Sequence, residues 1–301
     1  MPPKPALSLA AVAGRRKAQI DLAVRLEDEG FDAVFSPSMA DGMSLIEAVA
    51  LKTSRIGLGT GIANIYTRHP FEYACAASAI HELSSGRFVF GVGVSHGPIY
   101  QRLGLRVGKP LADVRSFVES YRAAADQGAG ELPPIVLATL RKKMVALAGE
   151  IADGCIWANG CRSHMPESLK QVPADKRDSF FVGNIVPCCI DDDVAAAADV
   201  MRRSLVGYVA LPNYRNYWIE SGYGEEMQSM ADAAAAGQND RVPSLMSDRW
   251  LNDVCLYGPA KKVREGVEEW YAVGVKTLIL AANSTNGGQS KAFEEMIEGF
   301  K

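Results

Sequence analysis

Three short stretches of this 301-residue chain carry residue types that could do chemistry. The first is RIGLGTGIANIYTRHP, Arg55 to Pro70. Ile56 and Leu58 make it open like a buried strand, yet glycine occupies positions 57, 59 and 61. Glycine weakens a strand unless backbone or ligand must come close, so the spacing asks what lies against this backbone. The second, GVGVSHG from Gly91 to Gly97, ends an apolar run and leaves His96, one of four histidines, in a loop. A loop imidazole can act as general acid or base near neutral pH; it can equally be a surface or capping residue. The third, TLRKKM from Thr139 to Met144, follows the apolar run PIVLAT and opens a helix. Arg141, Lys142 and Lys143 there oppose the helix macrodipole. A bound phosphate or carboxylate, aided by free N–H groups, would explain them; so would a solvated basic turn. Arg15, Arg16 and Lys17 repeat the pattern with no ligand to justify it.

Other chemistries fit poorly. GxGxxxG around His96 resembles a dinucleotide fingerprint, but Asp113, at the distance of the ribose-binding acid, falls inside a helical pattern. There is no GxxxxGK[ST], GxSxG or HExxH motif, and the six cysteines include no CxxC. No metal site is expected. Cys188 and Cys189 read as small buried strand residues. Asp191, Asp192 and Asp193 open a helix, where acids cap and complement the dipole. His69, just before Pro70, reads as a helix start, and His81 and His164 as structural.

The elements that must position these residues alternate. Strands are expected at 6–13, 31–36, 55–62, 87–94, 134–139, 154–158, 179–190 and 275–281, mostly short apolar runs of the kind buried on both faces. Amphipathic helices fit between them at 15–29, 43–53, 70–84, 110–127, 140–152, 191–206 and 259–273, with a last helix at 289–300. The rhythm predicts an α/β fold, a (β/α)8 TIM-type barrel, with a doubly wound sheet as its rival. An aromatic and then Ala-rich stretch at about 207–253 reads as a helical insertion before the last strand of one domain spanning 1–301. Barrel chemistry belongs to the loops after the strands. A net charge of −3 gives no footprint for nucleic acid or anionic membrane, and no apolar run is long enough to span a bilayer. ALSLAAVAG, Ala6 to Gly14, fits a buried first strand better than a signal peptide, and the cysteine usage suits a reducing cytoplasm.

LGTGIANIYTRHP followed by HELSSGRFVFGVGVSHGPIYQRLG closely resembles the bacterial luciferase-like superfamily of flavin- and deazaflavin-dependent oxidoreductases. LEDEGFDAVF and PPIVLATLRKKMVALAGEIADG fit the same family, and TGIANIYTRHP with GVSHGP looks most like its coenzyme F420 branch. The resemblance implies a bulge after the third strand with a cis Gly61–Ile62 peptide supporting a tricyclic ring. It implies cofactor contacts from Ser36, Gly61, Ile62, Ala63, Asn64 and Ser95. It places the cofactor phosphate at Ala138, Thr139, Leu140, Arg141 and Lys142, with backbone N–H groups of 139–142 lining the pocket. Many members carry Asp-His after the second strand, where this chain has Ser36, Ser38 and Met39; some carry an acid where His96 stands. WANGCRSH lacks the lysine of the family's sugar-phosphate dehydrogenases, which argues against glucose-6-phosphate.

The expected function is therefore an F420-dependent oxidoreductase acting on a small, partly apolar substrate, with His96 moving the proton and Met39, Trp157 and Asn159 in the substrate pocket. An FMN-dependent monooxygenase and a non-catalytic barrel are the alternatives. The family implies a homodimer.

Overall fold

The computed structural model describes residues 4–37 and 40–301. From the N-terminus come β1 (Ala6–Ser8), α1 (Arg16–Asp28), β2 (Ala33–Ser36), α2 (Gly42–Ala50), β3 (Gly57–Asn64) and α3 (Pro70–Leu83). Then follow β4 (Phe88–Gly93), α4 (Gly97–Leu103), α5 (Pro110–Ala123), β5 (Ile135–Ala138), α6 (Lys142–Ile151) and β6 (Gly154–Ala158). The second half holds α7 (Met165–Leu169), β7 (Phe181–Ile190), α8 (Val194–Val209), α9 (Pro212–Glu220), α10 (Gly224–Ala235) and α11 (Asp248–Val254). It ends with β8 (Leu256–Gly258), α12 (Ala260–Ala272), β9 (Thr277–Asn283) and α13 (Gln289–Gly299). The fold is a (β/α)8 barrel, with β8 an addition beside β7 rather than a member of the ring.

The chain packs as two compact units: one runs to Trp157 and includes Lys170–Gly183, the other holds Ala158–Leu169 and Asn184–Lys301. In the first unit the parallel strands lie in the order β6-β5-β4-β3-β2-β1. Short apolar strands buried on both faces suit such a sheet, and Val34, Phe88, Phe90 and Val136 are fully buried. Sequence-local signals start the helices: Asp41 accepts the Ser44 N–H ahead of α2, and His69 Nδ1 accepts the Phe71 N–H with Pro70 opening α3. Two side chains stitch the amino ends of the strands. The Glu27 carboxylate of α1 accepts the N–H groups of Ser54, Arg55 and Ile56 at 2.9, 2.6 and 2.8 Å. The Arg87 guanidinium donates to the carbonyls of Ala50, Thr53, Ile56 and Ser84. The turn that presents Arg87 puts Ser85 and Gly86 at φ 54° and 84°.

In the second unit Cys188 of β7 lies opposite Leu256 of β8. The insertion is helical, as the composition suggests: α9, α10 and α11 enclose Trp218 and Trp250, both fully buried with rings edge-on at 4.9 Å. Asp193 caps α8 through the Ala196 N–H.

Boundaries differ from the sequence expectation in several places. The first strand stops at Ser8, because after Leu9 N–H reaches the Phe35 carbonyl the chain turns, with Val12 N–H on Ala10. α4 and α7 occupy stretches expected as loops, and β8 was hidden in three residues directly ahead of Pro259. Segments this short carry no readable period.

Candidate functional site

The carboxyl ends of β2, β3 and β4 build a site within the first unit. β3 and β4 are in register from Leu58 opposite Phe88 to Thr60 opposite Phe90, then resume with Ala63 opposite Val92. One extra residue is absorbed at Gly61–Ile62, a β-bulge. The bulge is real but the expected cis bond is not: among the described residues every peptide is trans. The slipped register accommodates the extra residue in a trans chain. Thr60 Oγ1 donates to the Gly91 carbonyl at 2.8 Å and accepts the Gly91 N–H at 2.9 Å, bonding across the gap in the ladder.

The glycines have definite neighbours. A Cβ on Gly59 would stand 2.2 Å from the Phe35 ring, and one on Gly57 3.0 Å from Ala33 Cβ. These two clear space for β2 rather than for a ligand. A Cβ on Gly91 would stand 2.0 Å from the Thr60 carbonyl oxygen, and one on Gly93 2.7 Å from Ala138 Cβ and 2.9 Å from Ile62 Cγ2. The bulge therefore requires glycine on β4, and Gly93 lets Ile62 and Ala138 approach each other.

Beside the bulge is a cleft of about 310 Å³, at the small end of the range for ligand sites. Of the residues expected at the cofactor, it brings together Ser36, Ile62, Ala63 and Asn64. Ser36 is 1% exposed, and its hydroxyl has no hydrogen-bond partner among the described residues. Asn64 is held by its neighbours: its carbonyl accepts Thr67 Oγ1 and the Tyr73 hydroxyl, and its Oδ1 accepts the Tyr66 N–H. On the rim Arg68 pairs with Asp41 at 3.0 Å. Partial burial pulls the Asp41 carboxyl upward, but the Ser44 hydroxyl and N–H, with Arg68, outweigh it and hold it below its ordinary value. Ile99, Arg102 and Leu103 of α4 complete the wall.

Ser95 and His96 stand just before α4. Ser95 has φ 63°, a left-handed conformation that costs a non-glycine residue energy and marks candidate sites. The Tyr100 hydroxyl fastens this loop to the Val94 carbonyl at 2.5 Å. The His96 carbonyl starts α4 while its imidazole makes no cap bond. Its Nδ1 is buried without a partner among the described residues. Burial, then the Arg102 charge, push the imidazole pKa below its ordinary value.

The remaining expected residues lie elsewhere. Thr139 N–H is spent on the Ile156 carbonyl at 2.9 Å, so the expected run of free amides from 139 is shortened by the sheet. Arg141 is the residue ahead of α6, no side chain caps that helix, and residues 141–143 are exposed. Trp157 is fully buried and gives its indole N–H to the Leu140 carbonyl at 3.3 Å. Asn159, in the second unit, is 3% exposed with φ 56°, and its carbonyl accepts the Trp218 N–H at 3.2 Å. The loop after it is bound to the insertion by Cys161 N–H on the Tyr217 hydroxyl and by Ser163 on the Asp253 carboxylate. Met39 lies outside the described residues, as does Ser38. Sequence reading missed Thr60, Arg68 and Arg102. Arg68 had a signal in the TRHP wording, whereas nothing local marks Arg102.

Comparison with known proteins agrees with the barrel fold. A Mycobacterium tuberculosis protein provisionally named a coenzyme F420-dependent oxidoreductase is 25% identical, covering 88% of this chain and 90% of its own. The coenzyme F420-dependent tetrahydromethanopterin reductase of Methanopyrus kandleri superposes with a TM-score of 0.80 at 18% identity, over 99% of this chain and 98% of that one. The oxygenating constituent of the 3,6-diketocamphane monooxygenase of Pseudomonas putida, solved with FMN, gives 0.66 at 16%, over 99% and 96%. The family model described as luciferase-like monooxygenase matches residues 4–277. With a bulged third strand and its cleft at the carboxyl end of the sheet, the chain belongs to the luciferase-like monooxygenase family, a family of oxidoreductases.

Proposed function

We propose that the chain is an F420-dependent oxidoreductase that moves a hydride between a deazaflavin and a small, partly apolar organic substrate. The observation that carries the reading is a pair of buried polar atoms without partners among the described residues, Ser36 Oγ and His96 Nδ1, at the carboxyl ends of β2 and β4. Buried polar atoms are nearly always hydrogen-bonded, so these two fit a polar ligand. A deazaflavin, when bound, supplies the hydride chemistry, and the protein supplies binding and orientation. Gly61, Ile62, Ala63 and Asn64 offer it the bulged backbone, with Ser36 and Ser95 as polar contacts. Ala138, Thr139, Leu140, Arg141 and Lys142 would hold its phosphate through the uncapped start of α6, without the Thr139 N–H that Ile156 already takes. Trp157, fully buried with its indole N–H on the Leu140 carbonyl, would border the substrate side. His96 takes the proton that must leave when a hydride is removed from a carbon bearing a hydroxyl. Its lowered pKa keeps the imidazole neutral at pH 7, the form that accepts a proton. The reading extends to a cytoplasmic homodimer, on the cysteine usage and the family resemblance.

The FMN-dependent monooxygenase is the second reading, favoured by the FMN-bound barrel of similar fold. Titrating the purified protein separately with F420 and FMN, followed by fluorescence, separates them. Binding of F420 but not FMN is the expected result. FMN alone would transfer the argument to the monooxygenase, and neither would leave a barrel without turnover.

A further inference from the structure

The loop that carries His96 is braced by side chains that the proposed reaction does not use. β4 ends at Gly93, and the chain passes through Val94, the left-handed Ser95 and His96 before α4 opens. A non-glycine residue stays left-handed only where its surroundings enforce it. Tyr100, in the first turn of α4, closes the loop. Its N–H bonds to the His96 carbonyl at 3.3 Å, and its hydroxyl donates back to the Val94 carbonyl at 2.5 Å. No residue of α4 is fully buried, so apolar burial alone anchors this helix poorly. The Tyr100 ring meets the Tyr66 ring edge-on, with centroids 5.9 Å apart. Tyr66 is fixed in turn: its N–H sits on Asn64 Oδ1, and its hydroxyl donates to the Asp113 carboxylate of α5 at 2.6 Å. The same Asp113 oxygen accepts the Gly108 N–H at 2.8 Å. A Cβ on Gly108 would stand 2.6 Å from Asp113 Oδ1, so glycine is what lets the carboxylate come this near. Asp113 thus holds both the chain just beyond α4 and the ring that flanks its first turn.

We propose that Tyr100 and Asp113 are positioning residues for His96, Tyr100 by tying the loop to the end of β4 and Asp113 by holding Tyr66 against the Tyr100 ring. The inference rests on reading His96 as the proton acceptor, and it says what keeps that imidazole in place. Both phenols remain donors at neutral pH, because burial and then the Asp113 carboxylate push their pKa values upward. Burial is also the first cause of the lowered His96 pKa, with the Arg102 charge second. A loop released from the brace would admit water to the imidazole and return that value toward the ordinary one. The charged groups about the loop are Arg102 on α4, Asp113 on α5 and the Arg68–Asp41 pair, which lines the same cleft as Arg102. Removing the Asp113 carboxylate would, by charge alone, disfavour the imidazolium and lower the His96 pKa further. Release of the loop and loss of the charge therefore have opposite signs.

The test is an NMR titration of the full-length chain, in which the cross-peak lost in His96→Ala identifies His96 among the four histidines. In Tyr100→Phe, which changes no charge, the His96 pKa should climb at least halfway from its wild-type value to the ordinary imidazole value. Asp113→Ala should move it the same way, against the sign of the lost charge. Asp113→Asn, which keeps a hydrogen-bond acceptor, should stay near wild type. A brace that is structural only would lower the thermal midpoint of Tyr100→Phe and leave the titration where it was. An unmoved His96 pKa in Tyr100→Phe, or a fall in Asp113→Ala, overturns the proposal. If circular dichroism shows that either variant fails to fold, Tyr66→Phe, which removes only the hydroxyl that Asp113 holds, replaces it with the same expected rise. Turnover separates the brace from the reading it rests on: kcat of Tyr100→Phe should fall several-fold with F420 affinity unchanged. A titration that shifts as expected, beside a His96→Ala enzyme of undiminished turnover, would sink the proton-acceptor reading alone.

Discussion

At Thr60 one hydroxyl makes two bonds to the same residue across the bulge, donating to the Gly91 carbonyl and accepting the Gly91 N–H. Gly91 is the other half of that arrangement, since its missing Cβ is what admits the Thr60 carbonyl. Gly91→Ala would force backbone apart rather than a flexible side chain. The expected loss is about 3 kcal/mol, the upper end for overpacking, read as a lower urea midpoint with unchanged slope; a change below about 0.5 kcal/mol, the scale of neutral surface substitutions, would mean that the bulge relaxes freely. His96 is the residue on which turnover depends in the proposed reaction. His96→Ala should bind F420 as wild type does while kcat falls by about 10²–10⁴-fold. Because burial and Arg102 lower its pKa, the neutral base predominates at pH 7. In the oxidation direction kcat/KM should therefore be flat through neutrality and fall only as pH drops below the ordinary imidazole range. A profile still rising above pH 7, or a fall in kcat under about tenfold, well below the usual range for an acid–base catalyst, would remove His96 from the proton path.

Among the elements, α1 and the entry to β3 are joined chiefly through Glu27. Partial burial alone would raise this carboxyl; the N–H groups of Ile56, Arg55 and Ser54 and the Arg55 charge outweigh it and hold the pKa below its ordinary value. A carboxyl depressed in the folded state stabilises above its unfolded pKa, and the contribution is lost as pH falls through the folded value. Wild type and Glu27→Gln should then differ most at neutral pH and converge in acid. The difference should be about 1 kcal/mol after allowance for solvent screening. Urea denaturation at pH 7 and at pH 3 measures it, and a gap that persists in acid would point to packing instead of charge. The loop after β6 is held differently, by α9 and α11 through Trp218, Tyr217 and Asp253. The insertion thus serves as a scaffold for the loop that carries Asn159.

For the molecule as a whole, a ligand that binds the native state alone stabilises it by mass action. F420 at a hundred times its Kd should add about 2.7 kcal/mol and raise Tm by a few degrees. His96→Ala should keep that shift, because its proposed role is in proton transfer and not in affinity. Differential scanning fluorimetry checks both, and a wild-type Tm indifferent to F420 would contradict the cofactor assignment. Among the described residues no helix is long and apolar enough to cross a membrane.

What the sequence by itself determined was local. The alternation of apolar runs and amphipathic stretches pointed to an α/β barrel with a doubly wound sheet as rival, and His69-Pro70, Asp193 and the Ala-rich insertion were readable because caps and periods depend on residues a few positions apart. The glycines of β3 were visible, but their neighbours were not. Gly59 answers to Phe35 and Gly91 to Thr60, pairings set by strand register across 24 and 31 positions. The same register made the bulge with a trans peptide, where the family resemblance had implied cis. It also spent the Thr139 N–H on Ile156, which had been assigned to a phosphate. Arg102 carried no signal at all, since its meaning comes from the side of the cleft to which α4 folds back. Long-range register and the direction of loop return are settled only when the sheet closes its hydrogen bonds and buries its apolar faces together.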